Sequence, residues 1–359
     1  MPVFKLAMHP ASEGDALMLS WGEEGTLHRA LIDLGRTKNY RALKPLLQAI
    51  GSFELFAISH IDADHIEGAV PLFGETTLPF TACNVWFNAY AQLVDARERL
   101  RDFETLGVDQ AEKVTIGIEA SDWPWNSQFA SRIVSTGSPE AAAPLPFAGG
   151  LKLTLLSPTD HQLTRLLPTW ESALAEAHLR KEDKDPVEQA EVEGREILGG
   201  LNVEVLAARQ YSGDSTRPNG TSIAFIAEFD QRRVLMAADS HADVIEAALE
   251  RLGHSAANPL KLDCLKVSHH GSKANTSPAL LSLIDCTRFA FSTDGSRHDH
   301  PDAETIARIL THDPERQKTL IFNFRQPNTE QWDDEELKTR WHYDCVFPAA
   351  GKEGIEFEL

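Results

Sequence analysis

The sequence predicts an α/β chain in which two β-sheets face each other between outer helices, and three observations predict it. Strand-like apolar runs alternate with helix-period stretches in two halves of the chain, as an αββα sandwich requires. The strands repeatedly end in ligand-type residues: Ser59-His60-Ile61-Asp62-Ala63-Asp64-His65 follows Leu55 to Ile58, Asp239 follows Val234 to Ala237, and His269-His270-Gly271 follows Leu262 to Ser268. The 359 residues, 42% hydrophobic and 25% charged, have the composition of a globular protein able to bury a core.

Taken in order, Val3 to Met8, Gly14 to Trp21 and Arg29 to Gly35 read as a β-rich opening, with Asp33 at a strand end. Leu43, Leu46, Leu47 and Ile50 have helical spacing over Tyr40 to Ile50, and Gly51 leads into the strand before His60. Ala69 to Phe73 is a short helix, Cys83 to Asn88 a strand, and Ala89 to Leu106 a helix with a solvated, charged face. Leu151 to Ser157 alternates as a strand, and Asp160 to Leu179 is a helix. The charged Arg180 to Arg195 extends that helix or forms a linker. The chain is expected to be a single domain over 1–359, with surface insertions at 89–150 and 160–200 that serve either as a lid or as exposed decoration. Ile223 to Phe229 and Arg233 to Ala237 form a hairpin, His241 to Leu252 a helix, Arg288 to Ser292 a strand and Asp302 to Leu310 a helix.

The stretch from His60 to His65 holds four metal-ligating side chains within six residues. Alternation along an extended chain lets His60 and Asp62 converge on one point, while the following turn brings Asp64 and His65 to a second. Carboxylates and imidazoles packed this closely repel or desolvate one another unless a cation compensates them.

The formal charge of −20, from 54 acidic against 34 basic residues, disfavours broad adhesion to DNA or to an anionic membrane. It leaves a phosphodiester substrate open, because divalent cations cancel acidity locally. Met1 to Lys5 lacks a long apolar stretch and no apolar run approaches about 18 residues, so a cytoplasmic protein without a membrane partner is expected. Cys83, Cys264, Cys286 and Cys345 form no Cys-x-x-Cys pair and read as packing residues.

From about Gly14 to Pro301 the ordered motifs resemble the metallo-β-lactamase superfamily, in the His-x-Asp-x-Asp-His form of its first motif. That form is similar to the ComEC/Rec2-like branch of DNA-uptake hydrolase domains. The resemblance implies an αββα metallo-β-lactamase sandwich and a dinuclear site. His60 and Asp62 would serve one metal, Asp64 and His65 the other, with Asp239 bridging them. His269, nearest the strand, is the preferred last ligand, and His270 is its competitor. Many relatives carry a further His on the hairpin, where this chain has Asn219-Gly220-Thr221-Ser222. The oxygen-rich set lets Mn²⁺ compete with Zn²⁺.

Asp64 and His300 are the catalytic candidates. His300, in a His-Pro pair like one in that branch, would donate a proton or stabilise phosphoryl charge. His298 has the same chemistry but no matching family position. Asn219, Ser272 and Lys273 are the substrate-binding candidates. Asn219 equally suits a turn, and Lys273 equally suits an exposed surface. The function implied is metal-dependent phosphodiester hydrolysis, with DNA as the leading substrate. A small-molecule phosphoesterase of the phosphocholine-esterase kind and a metal-stabilised module for a protein partner are the alternatives.

Overall fold

The computed structural model describes residues 1–100, 109–179 and 201–359. One sheet has six strands in the order Ile355–Glu358, Pro2–Met8, Leu17–Glu23, Thr26–Ile32, Leu55–Ala57 and Val85–Trp86. The other has eight, in the order Tyr343–Val346, Lys318–Phe322, Arg288–Phe291, Cys264–Lys266, Arg232–Met236, Ala224–Phe229, Lys152–Ser157 and Leu145–Pro146.

Alternation along each strand divides its side chains between two cores. Phe4, Leu6, Leu17, Leu19, Trp21 and Ile32 from the first sheet meet Leu153, Leu155, Phe225, Val234 and Met236 from the second in one buried layer. The intervening Ala7, Met18, Leu31 and Phe56 face the other way, onto Tyr40, Leu43 and Leu47 of the helix Thr37–Ile50. On the second sheet, Ile226, Leu235, Leu265, Phe289 and Leu320 face Ile245 and Leu249 of Ala242–Arg251 and Ile306, Ile309 and Leu310 of Ala303–Thr311. The chain is therefore an αββα sandwich, as the sequence predicts.

Three local readings differ. The run Leu262 to Ser268 is broken at Asp263, whose backbone N–H donates to Arg233 O and whose Oδ2 accepts from Arg233 N. Leu260–Leu262 instead pairs with Ile284–Cys286 in a small separate sheet, and only Cys264–Lys266 joins the main one. The strand expected over Cys83 to Asn88 shrinks to Val85–Trp86, because Asn126 and Trp125 side chains take over the Phe87 carbonyl. Beyond Leu310, where the sequence suggested nothing, Lys318–Phe322 and Tyr343–Val346 complete one sheet, and Ile355–Glu358 edges the other.

Within the expected insertions, the helices Tyr90–Leu100, Asp109–Ala120 and Asp160–Leu179 place Leu93, Val114, Ile118, Leu163 and Trp170 in the core outside the first sheet. Residues 101–106 of the helix expected from Ala89, and the charged stretch Arg180 to Arg195, lie outside the described residues. All four cysteines are free; Cys264 and Cys286 are buried and Cys83 is exposed. No helix among the described residues is long and apolar enough to cross a membrane.

What positions the site is the parallel part of each sheet. Thr26–Ile32, Leu55–Ala57 and Val85–Trp86 run parallel, as do Arg232–Met236, Cys264–Lys266 and Arg288–Phe291. Ligand-binding crevices form beyond the carboxyl ends of parallel strands, and here those ends carry Asp33, Ser59 to His65, Asp239, His269-His270 and Ser292 to His300.

A buried ion pair fastens the sheets at this end. Cys264 and Leu265 alternate, so Lys266 points inward, where its Nζ donates to Asp15 Oδ2 at 2.9 Å with both side chains almost wholly buried. Burial alone would raise the Asp15 carboxyl, but Lys266 beside it, with His270 and His65, holds it below the usual carboxylate value. Removing one member of such a pair strands a charge. Lys266→Met is expected to destabilise the metal-free protein by about 3–5 kcal/mol in urea denaturation at pH 7. Asp15→Asn in the same chain should recover most of the loss; no recovery would show that Lys266 stabilises by packing alone.

Candidate metal centre

The loop after Leu55–Ala57 is held by Asp33. Asp33 Oδ1 accepts from Ser59 N at 2.7 Å, and Oδ2 accepts from Ser59 Oγ at 2.6 Å and meets His65 Nδ1 at 2.8 Å. The chain then turns into the helix Ala63–Ile66, which carries Asp64 and His65. Gly14 permits this loop to sit against the opening strands, since a Cβ there would lie 1.9 Å from Asp64 O.

Four histidines converge on one carboxylate oxygen. Asp239 Oδ2 lies 3.4 Å from His65 Nε2, 3.6 Å from His270 Nε2, 3.7 Å from His269 Nε2 and 3.9 Å from His60 Nε2. In every case the opposite nitrogen, Nδ1, is engaged by an acceptor. His65 Nδ1 faces the Asp33 carboxylate, His270 Nδ1 the Ser292 carbonyl at 2.8 Å and His269 Nδ1 Asn275 Oδ1 at 3.0 Å. Ser59 Oγ spends its only hydrogen on Asp33, so at 3.0 Å from His60 Nδ1 it can only accept. In their neutral form, imidazoles so held would carry their hydrogen on Nδ1 and turn four Nε2 lone pairs toward an anion.

Such an arrangement calls for positive charge at its centre. His65 Nε2 and His270 Nε2 are 3.3 Å apart, and His60 Nε2 and Asp239 Oδ1 are buried without a hydrogen-bond partner. Burial pushes His65 down, but Asp239, Asp64 and Asp33 hold it well above the ordinary imidazole value. Burial would likewise raise Asp239, yet His270, His65 and His269 hold it well below the usual carboxylate range. A divalent cation satisfies these donors without protonating them, and the groups His60–His65–Asp239 and Asp64–His65–His270 each bring three ligand atoms within 4.8 Å of one another. The residues fit a metal centre.

The structure brings together His60, His65, Asp239, His270 and Asp64, with Asp62 Oδ2 3.5 Å from His60 Nε2 at the solvent side. His65 belongs to both of these groups. Of the two candidates for the last ligand, His270 lies deeper than His269, which the sequence preferred. The strand ends early, and both histidines take left-handed backbone conformations, φ 48° and 54°, that fold the chain back. His270 is thereby buried, 3.4 Å from Asp64 Oδ2, while His269 sits at the rim with its side chain 24% exposed. Gly271, at φ 94° and pressed on Pro301 and Phe291, makes room for this turn.

A cavity of about 270 Å³ opens over the cluster, lined by Asp62, Asp64, Asp239, His269, His270 and His300 together with Glu13, Arg36, Arg297 and His298. His300 lies with its ring 5.3 Å from that of His269. Burial, reinforced by His269, His270 and His298, holds His300 well below the ordinary imidazole value. At neutral pH it is therefore a neutral hydrogen-bonding group rather than an imidazolium acid.

None of the three expected substrate contacts lines this cavity. Asn219 Nδ2 donates to Asp214 Oδ2 at 2.7 Å, Ser272 is buried beneath the turn, and Lys273 is exposed and pairs with Asp302 at 3.7 Å. Sequence reasoning missed Asp15, Arg36, Asp214, Asn275 and Arg297. Asp15 had a signal in its Gly-Asp pair; the others lie in loops with no pattern.

No family model and no curated protein matches the chain. Among solved structures, it is similar to the metallo-beta-lactamase fold protein YhfI from Bacillus subtilis, at 12% sequence identity and a TM-score of 0.43, with 100% of each chain covered.

Proposed function

We propose that the chain is a metal-dependent hydrolase of the metallo-β-lactamase type that cleaves phosphodiester bonds, with DNA as the substrate to which the sequence motifs point. The observation that carries the metal-dependent part is the convergence of four Nε2 lone pairs on Asp239. His60, Asp62, Asp64, His65, Asp239 and His270, with His269 at the rim, would hold two divalent cations, Zn²⁺ or Mn²⁺. The chemistry such a pair supplies is activation of a water at neutral pH and neutralisation of charge on the transferred group.

The chain's own residues account for the preference for an anionic ester. The cavity wall carries the carboxylates of Glu13, Asp62, Asp64 and Asp239 against the guanidiniums of Arg36 and Arg297. Two divalent cations outweigh that deficit and leave the cavity positive, which favours phosphate over a neutral ester. Asp64, held ionised by His65 and His270 against the effect of burial, faces the cavity as an anion that can hold a cation or accept a hydrogen bond, and is a weak proton acceptor. Neutral His300 can donate a hydrogen bond to the developing negative charge.

A small-molecule phosphoesterase is the second reading, favoured by the cavity's 270 Å³, just below the usual range of about 300–1,000 Å³ for ligand pockets. Metal-reconstituted protein incubated with single-stranded DNA, duplex DNA, RNA and bis-p-nitrophenyl phosphate separates the readings. Cleavage of DNA supports the first, turnover of the small ester alone the second. Full metal occupancy with no turnover at all would leave a metal-stabilised interaction module.

Asp239→Ala is expected to abolish hydrolysis and lower occupancy of both metals, as elemental analysis of the purified variant would show. Retention of two metals would remove Asp239 from the centre. His270→Ala should lose more metal than His269→Ala, because His270 is enclosed by Asp64 and His65 while His269 lies at the rim; an inverted order would make His269 the principal ligand. His300→Ala should keep the parent's metal content while kcat falls about 10²-fold, the usual effect of losing one donor to developing charge. Loss of metal in that variant would instead make His300 a ligand.

A further inference from the structure

Asp214 belongs to no motif, yet its side chain is only 5% exposed, lies behind His269, and is held at both carboxylate oxygens. Thr216 N donates to its Oδ1 at 2.8 Å, while Asn219 Nδ2 at 2.7 Å and Asn275 Nδ2 at 3.1 Å donate to its Oδ2. Its segment also clasps the loop after the His269-His270 turn: Asp214 N and Tyr211 Oη both donate to Ala274 O, at 3.0 and 2.8 Å.

Asn275 connects Asp214 to His269. Its Nδ2 faces three acceptors, Asp214 Oδ2, Asp239 O at 3.2 Å and Ser240 O at 3.3 Å, which fixes the amide orientation. Asn275 Oδ1 must then face His269 Nδ1, which it meets at 3.0 Å, so the hydrogen stays on Nδ1 and the bare Nε2 points toward Asp239. Asp214 Oδ2 itself is 3.6 Å from the same Nδ1. His269 needs this support more than its neighbours do, because its side chain is 24% exposed where those of His60, His65 and His270 are at most 3% exposed.

We propose that Asp214 is a positioning residue that, through Asn275, orients His269 so that its Nε2 completes the metal centre. This rests on the metal-dependent reading above. Outer groups of this kind typically change metal affinity by about 10–100-fold.

The test is cobalt(II) binding, read by competition with a chromophoric chelator and by the visible absorption of the cobalt-loaded protein. Asp214→Asn is expected to weaken cobalt binding about 10–100-fold and to shift the absorption bands. Asn275→Ala should reproduce both effects, and it decides the matter if Asp214→Asn does not fold. In a His269→Ala background, Asp214→Asn should cost no further affinity, because the two act as one unit. Multiplying losses in the double variant, or wild-type affinity and spectrum in Asp214→Asn, would overturn the inference while leaving the metal centre intact. A wild-type chain that binds no divalent cation would overturn the proposed function and this inference together.

Discussion

The carboxylate of Asp239 is the constraint on which the site depends. It is fully buried, and four imidazoles approach it with their nitrogen lone pairs. An anion among lone pairs in a low-dielectric interior is stable only with a cation, and the protein has two ways to provide one. A proton on His65 is the metal-free solution, which is why that imidazole is held well above its ordinary value. A divalent ion is the other, and it competes with the proton for the same Nε2 lone pair. The geometry on the Nδ1 side is what makes the exchange clean. Asp33, Ser59, Asn275 and Ser292 remain in place as acceptors whichever cation occupies the centre, so the imidazoles need not turn.

The same logic explains how the sheets are joined. Residues from both opposing sheets must meet at one point, so any slip between sheets would disperse the cluster. The interleaved apolar layer resists separation without directing register. The Asp15–Lys266 pair adds direction, because it is short, buried and links the turn before Leu17 to the strand that ends below His269. Its position under the centre, with Asp15 Oδ1 3.8 Å from His270 Nδ1, ties the alignment of the sheets to the placement of a ligand.

How much of this was legible depended on whether the signal was local. The strands Pro2–Met8, Lys152–Ser157 and Ala224–Phe229, and the helices Asp160–Leu179 and Ala242–Arg251, are written in apolar periodicity and emerge within a residue or two of the expected bounds. The ligand cluster at His60 to His65 is contiguous, so its residues had to be near one another in any fold. That His270 would lie deeper than His269 was not legible, because it turns on two left-handed residues and an early strand end that nearness in sequence does not encode. Asp214 was invisible because it becomes a neighbour of the site only when a distant loop closes behind it, and Asn275 and Arg297 because nothing in their local pattern marks which way their loops turn. The strands after Leu310 escaped because they are elements of only four or five residues, two of them at sheet edges, whose partners lie some 25 residues or more away or at the opposite end of the chain.

The overall charge of −20 bears on how an anion would reach this centre. Exposed charges are screened over a Debye length of about 8 Å at physiological ionic strength, so most of the acidic exterior is not felt at the mouth of the cavity. What a substrate meets there is local. Arg36 is held by Glu13 and Glu67, with its Nη1 3.0 Å from Glu67 Oε2, and its charge is largely compensated. Arg297 lines the same cavity, and beyond it the balance is set by the centre itself. The cavity lining carries more carboxylates than guanidiniums, and the two cations of the proposed function would reverse that balance. On the metal-dependent reading proposed above, metal occupancy would govern admission of an anionic substrate as well as its chemistry, and the acidic exterior would confine that attraction to the cavity rather than spread it along a polyanion.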